Sequence, residues 1–272
     1  MKKYLLLLVA LLLSQMISAQ NLFDKSKSEK FADYLFSSHQ FNLAANEYER
    51  LVFLDSTKDF YKQRLFDSYK YSNQLDLGIK RFDELFPDNL NVKEPFASQY
   101  TDMLIYGSKY SLAEFYINNN AHLFDKSDFY KMNLKLFNKE WKPAQNLFTK
   151  NDTLALFKPY QPVMTSIDNL KLKHTGVAAT LSAVVPGLGK AYAGEWKDGL
   201  ISLLFVGASA FQAYRGFHEN GVKSVSAWIF SGVTAGFYFG NIYGSVKSVK
   251  RYNNRKTDKI VNDAKAVFYS LH

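Results

Sequence analysis

The sequence predicts an all-α protein in which helical-hairpin repeats precede a Gly-rich transmembrane helical hairpin with a broken apolar helix before it. A pattern of apolar and small residues returns four times between residues 41 and 148. Residues 175–246 are instead rich in Gly, Ala and Val and poor in charge. Apolar residues make up 47% of the chain and aromatic residues 16%, which is enough to bury a core.

The N-terminus has the pattern of a bacterial secretory signal peptide, predicted over residues 1–19. Lys2 and Lys3 precede an apolar run at residues 5–13, and Ala19 offers a small residue before a cleavage site. The alternative is an uncleaved anchor, but nine apolar residues are too few to span about 30 Å of hydrocarbon. We therefore expect a mature chain that begins at Gln20, outside the cytoplasm.

The predicted repeat domain covers residues 20–157. Each repeat has a large apolar residue, a small residue three positions later and a second large residue four positions after that. The four sets are Phe41/Ala44/Tyr48, Leu75/Gly78/Phe82, Tyr110/Ala113/Ile117 and Trp141/Ala144/Phe148. The first residues are 34, 35 and 31 positions apart, a period typical of stacked helix–turn–helix units.

Over about residues 27–150, this pattern resembles the tetratricopeptide repeat family. The segments from Phe41 to Asp55 and from Leu75 to Pro87 carry the resemblance, although Pro143 lies inside the fourth unit. The resemblance implies a concave groove, lined by the first helices, for a protein or peptide partner. The groove candidates are Tyr34, Tyr61, Tyr69, Tyr71, Tyr100 and Tyr106. The alternative is an irregular helical bundle.

The remaining segments are a linker at 158–174, a membrane module at 175–246 and a basic amphipathic tail at 247–272. The linker contains Pro159 and Pro162, two of the six prolines. The tail has seven Lys and Arg between residues 247 and 265. We expect its apolar face to lie on the membrane or to cap the repeats.

Three apolar segments form the predicted membrane module, at 175–188, 199–214 and 225–246. The last contains Gly232, Gly236, Gly240 and Gly244, which share one helix face and allow another helix to approach closely. We expect this stripe to pack against the preceding span near Gly207 or Ala208. Homo-oligomerisation and a Gly-zipper pore are the alternatives.

The break in the first apolar segment predicts a membrane turn formed by Pro186, Gly187, Gly189, Tyr192 and Gly194. It resembles the P-G-x-G-Q-x-Y-x-G element of bacterial modules related to the two-transmembrane-helix domain family, with Lys190 at the Gln position. A re-entrant turn gives two crossings and an external tail, whereas a full crossing gives three and an internal tail. The basic tail favours three, and the short broken segment favours two.

No pattern in the sequence predicts an enzyme, a cofactor or a metal. The chain has no Cys, and its five His are scattered without ligand spacing. The net charge of +9 lies in an exported chain beside a membrane, so we expect no nucleic acid partner. We expect a non-enzymatic inner-membrane protein with its repeats on the periplasmic side, acting as a scaffold or adaptor for a protein partner. The alternative is a Gly-zipper component that oligomerises or assists transport or membrane-protein assembly.

Overall fold

The computed structural model describes residues 24–88, 91–92, 94–120 and 126–271, and within them the chain is all-α without a strand. The predicted signal peptide lies outside the described residues. The chain divides into two compact units, Met1–Leu134 and Lys135–His272. The all-α fold class is confirmed.

Eight helices form four consecutive hairpins. They are α1 (Lys25–Ser37) with α2 (Phe41–Leu54), α3 (Asp59–Tyr71) with α4 (Leu75–Leu85), α5 (Phe96–Tyr106) with α6 (Tyr110–Asn120), and α7 (Ser127–Phe137) with α8 (Trp141–Asn151). Phe41, Leu75, Tyr110 and Trp141 are each the first residue of a second helix. The pattern recognised in the sequence therefore marks the same structural position in every repeat.

All four hairpins turn with the same backbone geometry. Two residues before each second helix, the chain adopts a left-handed conformation with φ between 57° and 62°, at His39, Asn73, Ser108 and Lys139. The following backbone N–H donates to a carbonyl five residues earlier, as from Gln40 to Leu35 at 2.8 Å and from Gln74 to Tyr69 at 2.9 Å. This bond satisfies a carbonyl that the end of the first helix leaves free.

The small residue of each repeat lies where two helices meet. Ala44, Ala113 and Ala144 are fully buried. At Gly78, a Cβ atom would lie 2.7 Å from Met103 Sδ and 2.9 Å from Tyr69 Cβ, closer than atoms tolerate. The helices therefore approach here at a distance that only glycine permits.

The second unit continues with five further helices. They are α9 (Gln161–Asp168), α10 (Thr175–Val184), α11 (Leu188–Tyr192), α12 (Trp196–Asn220) and α13 (Val225–Ser270). With 46 residues, α13 is about 69 Å long, and both α10 and α12 pack along it. The segment expected to be a linker holds α9 and buries Tyr160, Val163 and Met164, so it is folded.

The predicted tail is the C-terminal half of α13. Its apolar residues Ile260, Ala264 and Phe268 are buried, and the Phe268 ring packs edge-on against Phe137 with centroids 5.9 Å apart. Because this face packs within the second unit, it is not free to lie on a membrane. The unit boundary accordingly falls between residues 134 and 135, earlier than the domain boundary expected at residue 157.

Candidate functional site

The first apolar segment of the second unit folds back on itself. Lys173, just before α10, donates from Nζ to the backbone carbonyl of Tyr192 at the end of α11 at 2.6 Å. The Lys173 backbone also exchanges two 2.9 Å hydrogen bonds with the side chain of Asn253 on α13. The start of α10, the end of α11 and residue 253 of α13 therefore lie at one level, so the chain reverses direction between α10 and α11.

Glycines make the tip of this turn. Gly187 has a φ of 92°, and a Cβ there would lie 2.0 Å from the carbonyl oxygen of Gly199. A Cβ at Gly189 would lie equally close to the carbonyl oxygen of Ala178. Both positions therefore need glycine for close backbone contact, and Gly187 needs it also for conformation.

A buried polar network holds the turn against α13. The backbone N–H of Gly187 donates to Asn241 Oδ1 at 2.9 Å, and that of Gly189 donates to Ser182 Oγ at 3.0 Å. The Ser182 and Ser245 hydroxyls are 2.5 Å apart. The turn thus satisfies these backbone groups with protein partners, as buried backbone groups require.

A second turn joins α11 to α12 and repeats the geometry of the hairpin turns. Gly194 has a φ of 94°, and Glu195 N donates to the carbonyl of Lys190 at 2.9 Å. The Glu195 carboxylate accepts hydrogen bonds from Arg251 at 2.7 Å and from Ser248 at 2.5 Å. The hydrogen bond from Arg251 is the main reason that the pKa of Glu195 lies below its ordinary value. Partial burial acts in the opposite direction, and the hydrogen bond from Ser248 lowers the pKa further.

The predicted role of the glycine stripe needs correction. At Gly232, Gly236 and Gly240, no atom lies within 4 Å of a Cβ position, and Gly207 on α12 is equally open. Gly244 alone has a neighbour, with Lys190 Cε 3.1 Å from its Cβ position. The close approach of α12 and α13 uses Gly216 and Ala227 instead, because these lie at the closed end of the hairpin.

Large apolar side chains cover the outside of the α12–α13 hairpin. Exposed residues include Leu200, Leu204, Phe205, Phe211, Trp228, Ile229, Phe239 and Tyr243. Among the described residues, one helical stretch, Trp196–Lys223, is long and apolar enough to cross a membrane, with a mean hydropathy of 1.2. A continuous exposed apolar surface of this kind indicates a membrane or a partner.

A cavity of about 180 Å³ lies between α12 and α13 at the level of the turn. Lys190 and Ser202 line it on one side, and Gly236 and Gly240 line it on the other. Lys190 Nζ donates to Ser202 Oγ at 2.8 Å, and Ser202 Oγ in turn donates to the carbonyl of Asp198. Within the described residues, no carboxylate forms an ion pair with Lys190.

The structure separates the six groove tyrosines. Tyr61, Tyr69 and Tyr100 are buried, which corrects their assignment as groove residues. Their hydroxyls donate to Glu29, Glu49 and Asp83 respectively, at 2.8–3.0 Å. Tyr34 and Tyr71 are 60% and 46% exposed, and Tyr106 is half-buried.

Burial and a carboxylate partner raise the pKa of the Tyr69 hydroxyl. The Tyr48 hydroxyl, which donates to Asp33 at 2.6 Å, has a raised pKa for the same two reasons. Both phenols therefore stay protonated as hydrogen-bond donors. These two contacts join neighbouring helices of the repeats.

The part of the chain that the structure describes contains no group of three or more His, Asp or Glu that could hold a metal ion. Comparisons of the chain with known protein families, with curated proteins and with solved structures return no match.

Sequence reasoning missed the polar residues that hold the turn at residues 186–194. Ser182, Asn241 and Ser245 lie in apolar segments where each stands alone in the sequence. Their signal was present, because an Asn inside an apolar helix has to find a partner. The pairing of Lys173 with Asn253 joins positions 80 residues apart and had no local signal.

Proposed function

We propose that this protein is a membrane-anchored helical-repeat adaptor of the bacterial envelope, with tetratricopeptide-like hairpins that bind a protein partner. The observation that carries the proposal is the distribution of polarity in the second unit. Its apolar side chains point outward along α12 and α13, while Ser182, Asn241 and Ser245 satisfy one another and the turn inside. In lipid, this arrangement is favourable because the outer surface is apolar and the inner polar groups have hydrogen-bond partners.

The proposed topology has two crossings, α12 and the first half of α13. With 25 residues α12 is about 37 Å long, which exceeds the hydrocarbon thickness of about 30 Å. Because residues 173 and 253 are hydrogen-bonded to each other, the chain enters and leaves the membrane on one side. The predicted leader makes this side the periplasm.

Single-cysteine labelling tests the anchor, and the absence of native Cys makes the background clean. We expect cysteines at Asn169 and Asn254 to react from the periplasm with an impermeant maleimide, and a cysteine at Val222 to be protected. If only one of the cysteines at 169 and 254 is labelled, the two lie on opposite sides of the membrane and the two-crossing topology is wrong. Labelling of 222 alone would put the repeats in the cytoplasm. Extraction of the protein by alkaline carbonate would overturn the anchor itself.

Photocrosslinking tests the partner. A photoreactive residue at Tyr34 or Tyr71, both exposed on first helices, should give a protein adduct in intact cells. Exposed Leu112 on a second helix is the matched control and should give none. Adducts only to a second copy of the chain, or the same adducts from all three positions, would contradict an adaptor groove.

The open glycines favour a second candidate function, in which the membrane hairpin oligomerises or assists transport or membrane-protein assembly. Gly236 and Gly240 have room for a helix from another molecule. Gly236→Leu should then abolish function while insertion persists. If the protein is only an anchored adaptor, function should survive this change.

A further inference from the structure

Lys190 is an isolated cation inside a membrane unit. Its ammonium has three donors, and Ser202 Oγ accepts one of them at 2.8 Å. The carboxylate of Glu195, five residues along the chain, is engaged elsewhere, since it accepts hydrogen bonds from Arg251 and Ser248. Lys190 is half-buried and has no anion beside it within the described part of the chain, so its positive charge is not neutralised. An anion bound there would be attracted more strongly than in water, because the dielectric constant inside a membrane unit is low.

The Lys190 ammonium faces a cavity large enough for a ligand. The cavity of about 180 Å³ is larger than a phosphate group, and Asn241 lines it together with Lys190 and Ser202. Ser202 lies six residues into α12, about 9 Å along the helix from the exposed Trp196. Tryptophan side chains prefer the membrane interface, so the cavity lies near the depth at which headgroups meet hydrocarbon.

The cavity continues into an apolar groove. Gly236 and Gly240 form its floor without side chains, and Phe205 and Phe237 stand beside it with ring centroids 5.3 Å apart. Gly232 extends the open floor by one further turn. A flexible alkyl chain fits a shallow groove of glycine backbone edged by rings.

From these contacts we infer that Lys190 binds the phosphate of an anionic phospholipid, with one acyl chain lying along the groove of Gly232, Gly236 and Gly240. The charge of Lys190 selects an anionic headgroup over a zwitterionic one, and the ammonium donors that Ser202 does not use are available to the phosphate oxygens. The inference rests on the proposed insertion of α12 and α13 in a bilayer. A second copy of the chain and free phosphate are the rival occupants.

Native mass spectrometry of the full chain in detergent, with equal phosphatidylglycerol and phosphatidylcholine, tests the site. We expect preferential retention of phosphatidylglycerol, and a loss of about tenfold in its apparent affinity in Lys190→Gln, as for one charge-assisted contact. Lys190→Arg should restore binding. Lys197→Gln, a neighbouring exposed lysine outside the cavity, is the matched control and should bind normally.

Gly240→Leu tests the groove, because its side chain would occupy the floor. It should reduce lipid retention about as much as Lys190→Gln, with the melting temperature used to check folding. Unchanged phosphatidylglycerol binding in Lys190→Gln would overturn the inference. Displacement of the lipid by inorganic phosphate would also overturn it, since the site would then bind free phosphate. A dimer that is lost in Gly240→Leu, while Lys190→Gln still binds lipid, would show that a second copy of the chain occupies the groove. Carbonate extraction of the wild type would instead refute the anchor, so the two failures are distinguishable.

Discussion

Lys70 on α3 lies 3.3 Å from Asp102 on α5, and both side chains are more than 90% buried. The hydroxyl of Tyr130 donates to the other oxygen of Asp102 at 2.9 Å. One carboxylate therefore links the second, third and fourth hairpins. Because a repeat unit buries its apolar face only against its neighbours, such a link also sets the register of stacking.

Asp102→Ala should destabilise the repeats by about 3–5 kcal/mol, because it leaves the buried Lys70 ammonium without its ion-pair partner. Urea unfolding of the full chain, followed by circular dichroism, measures the change. Asp76→Ala removes the exposed pair with Lys109 and should cost less than about 1 kcal/mol. Equal costs for the two variants would show that burial of the Lys70 pair is unimportant.

Gly78→Ala should cost about 1–3 kcal/mol through overpacking. The new methyl group would meet Met103 Sδ, which can move, and Tyr69 Cβ at 2.9 Å, which is held by its helix. Gly207→Ala adds the same methyl to an open helix face and should leave the melting temperature unchanged or raise it. A harmless Gly78→Ala change would mean that the helices separate easily.

Ser108→Gly should stabilise the third hairpin by about 0.5 kcal/mol. Ser108 has a φ of 57°, a strained conformation for a residue with a side chain, and glycine relieves that strain at some cost in unfolded-state entropy. Ser108→Val should act in the opposite direction. Thermal unfolding measures the change in melting temperature of the two variants. A change in the same direction for both would contradict the left-handed conformation at Ser108.

Gly187→Ala and Gly194→Ala separate close contact from backbone strain. Both glycines have a φ above 90°, but a Cβ at Gly187 would lie 2.0 Å from a carbonyl oxygen, whereas that at Gly194 meets open space. Gly194→Ala should cost about 1–2 kcal/mol of strain. Gly187→Ala should prevent a monodisperse protein in detergent, as judged by size-exclusion chromatography, and similar profiles would refute the close turn.

Glu195 should make the second unit pH-dependent. Its pKa in the folded protein lies below the ordinary value of 4.5, so its contribution to stability is present above that pH and is lost as pH falls through the folded pKa. Glu195→Gln should therefore lower the melting temperature at pH 7 and make less difference at pH 3.5. Exposed Glu219→Gln is the control, with little effect at either pH. A gap that does not narrow at acid pH would exclude this ion pair as its source.

The repeat register was predictable because it is local. A large residue, a small residue three positions later and a second large residue four positions after that specify the buried face of one helix. Each pattern begins at the first residue of a helix, at Phe41, Leu75, Tyr110 and Trp141. The tyrosine roles were not predictable. Periodicity places Tyr61 and Tyr34 on helices, but it does not show which neighbouring helix covers them. In the structure Tyr61 is buried and Tyr34 is exposed.

The glycine stripe shows the same limit. Spacing of four puts Gly232, Gly236 and Gly240 on one face, yet spacing cannot say which face α12 covers. That choice follows from Gly216 and Ala227 at the closed end and from the turn at the other end, where Gly187 contacts Gly199.

By itself, the sequence determined the helical class, the four-fold repeat and the apolar character of the C-terminal segments, since each depends on composition or on spacing within one helix. The tertiary structure decided which tyrosines are exposed, that the first apolar segment folds back, and that Lys190 faces a cavity with open glycines. These features depend on contacts such as Lys173 with Asn253, across 80 residues. Contacts at that separation are chosen by the packing of the whole unit, and no local pattern encodes them.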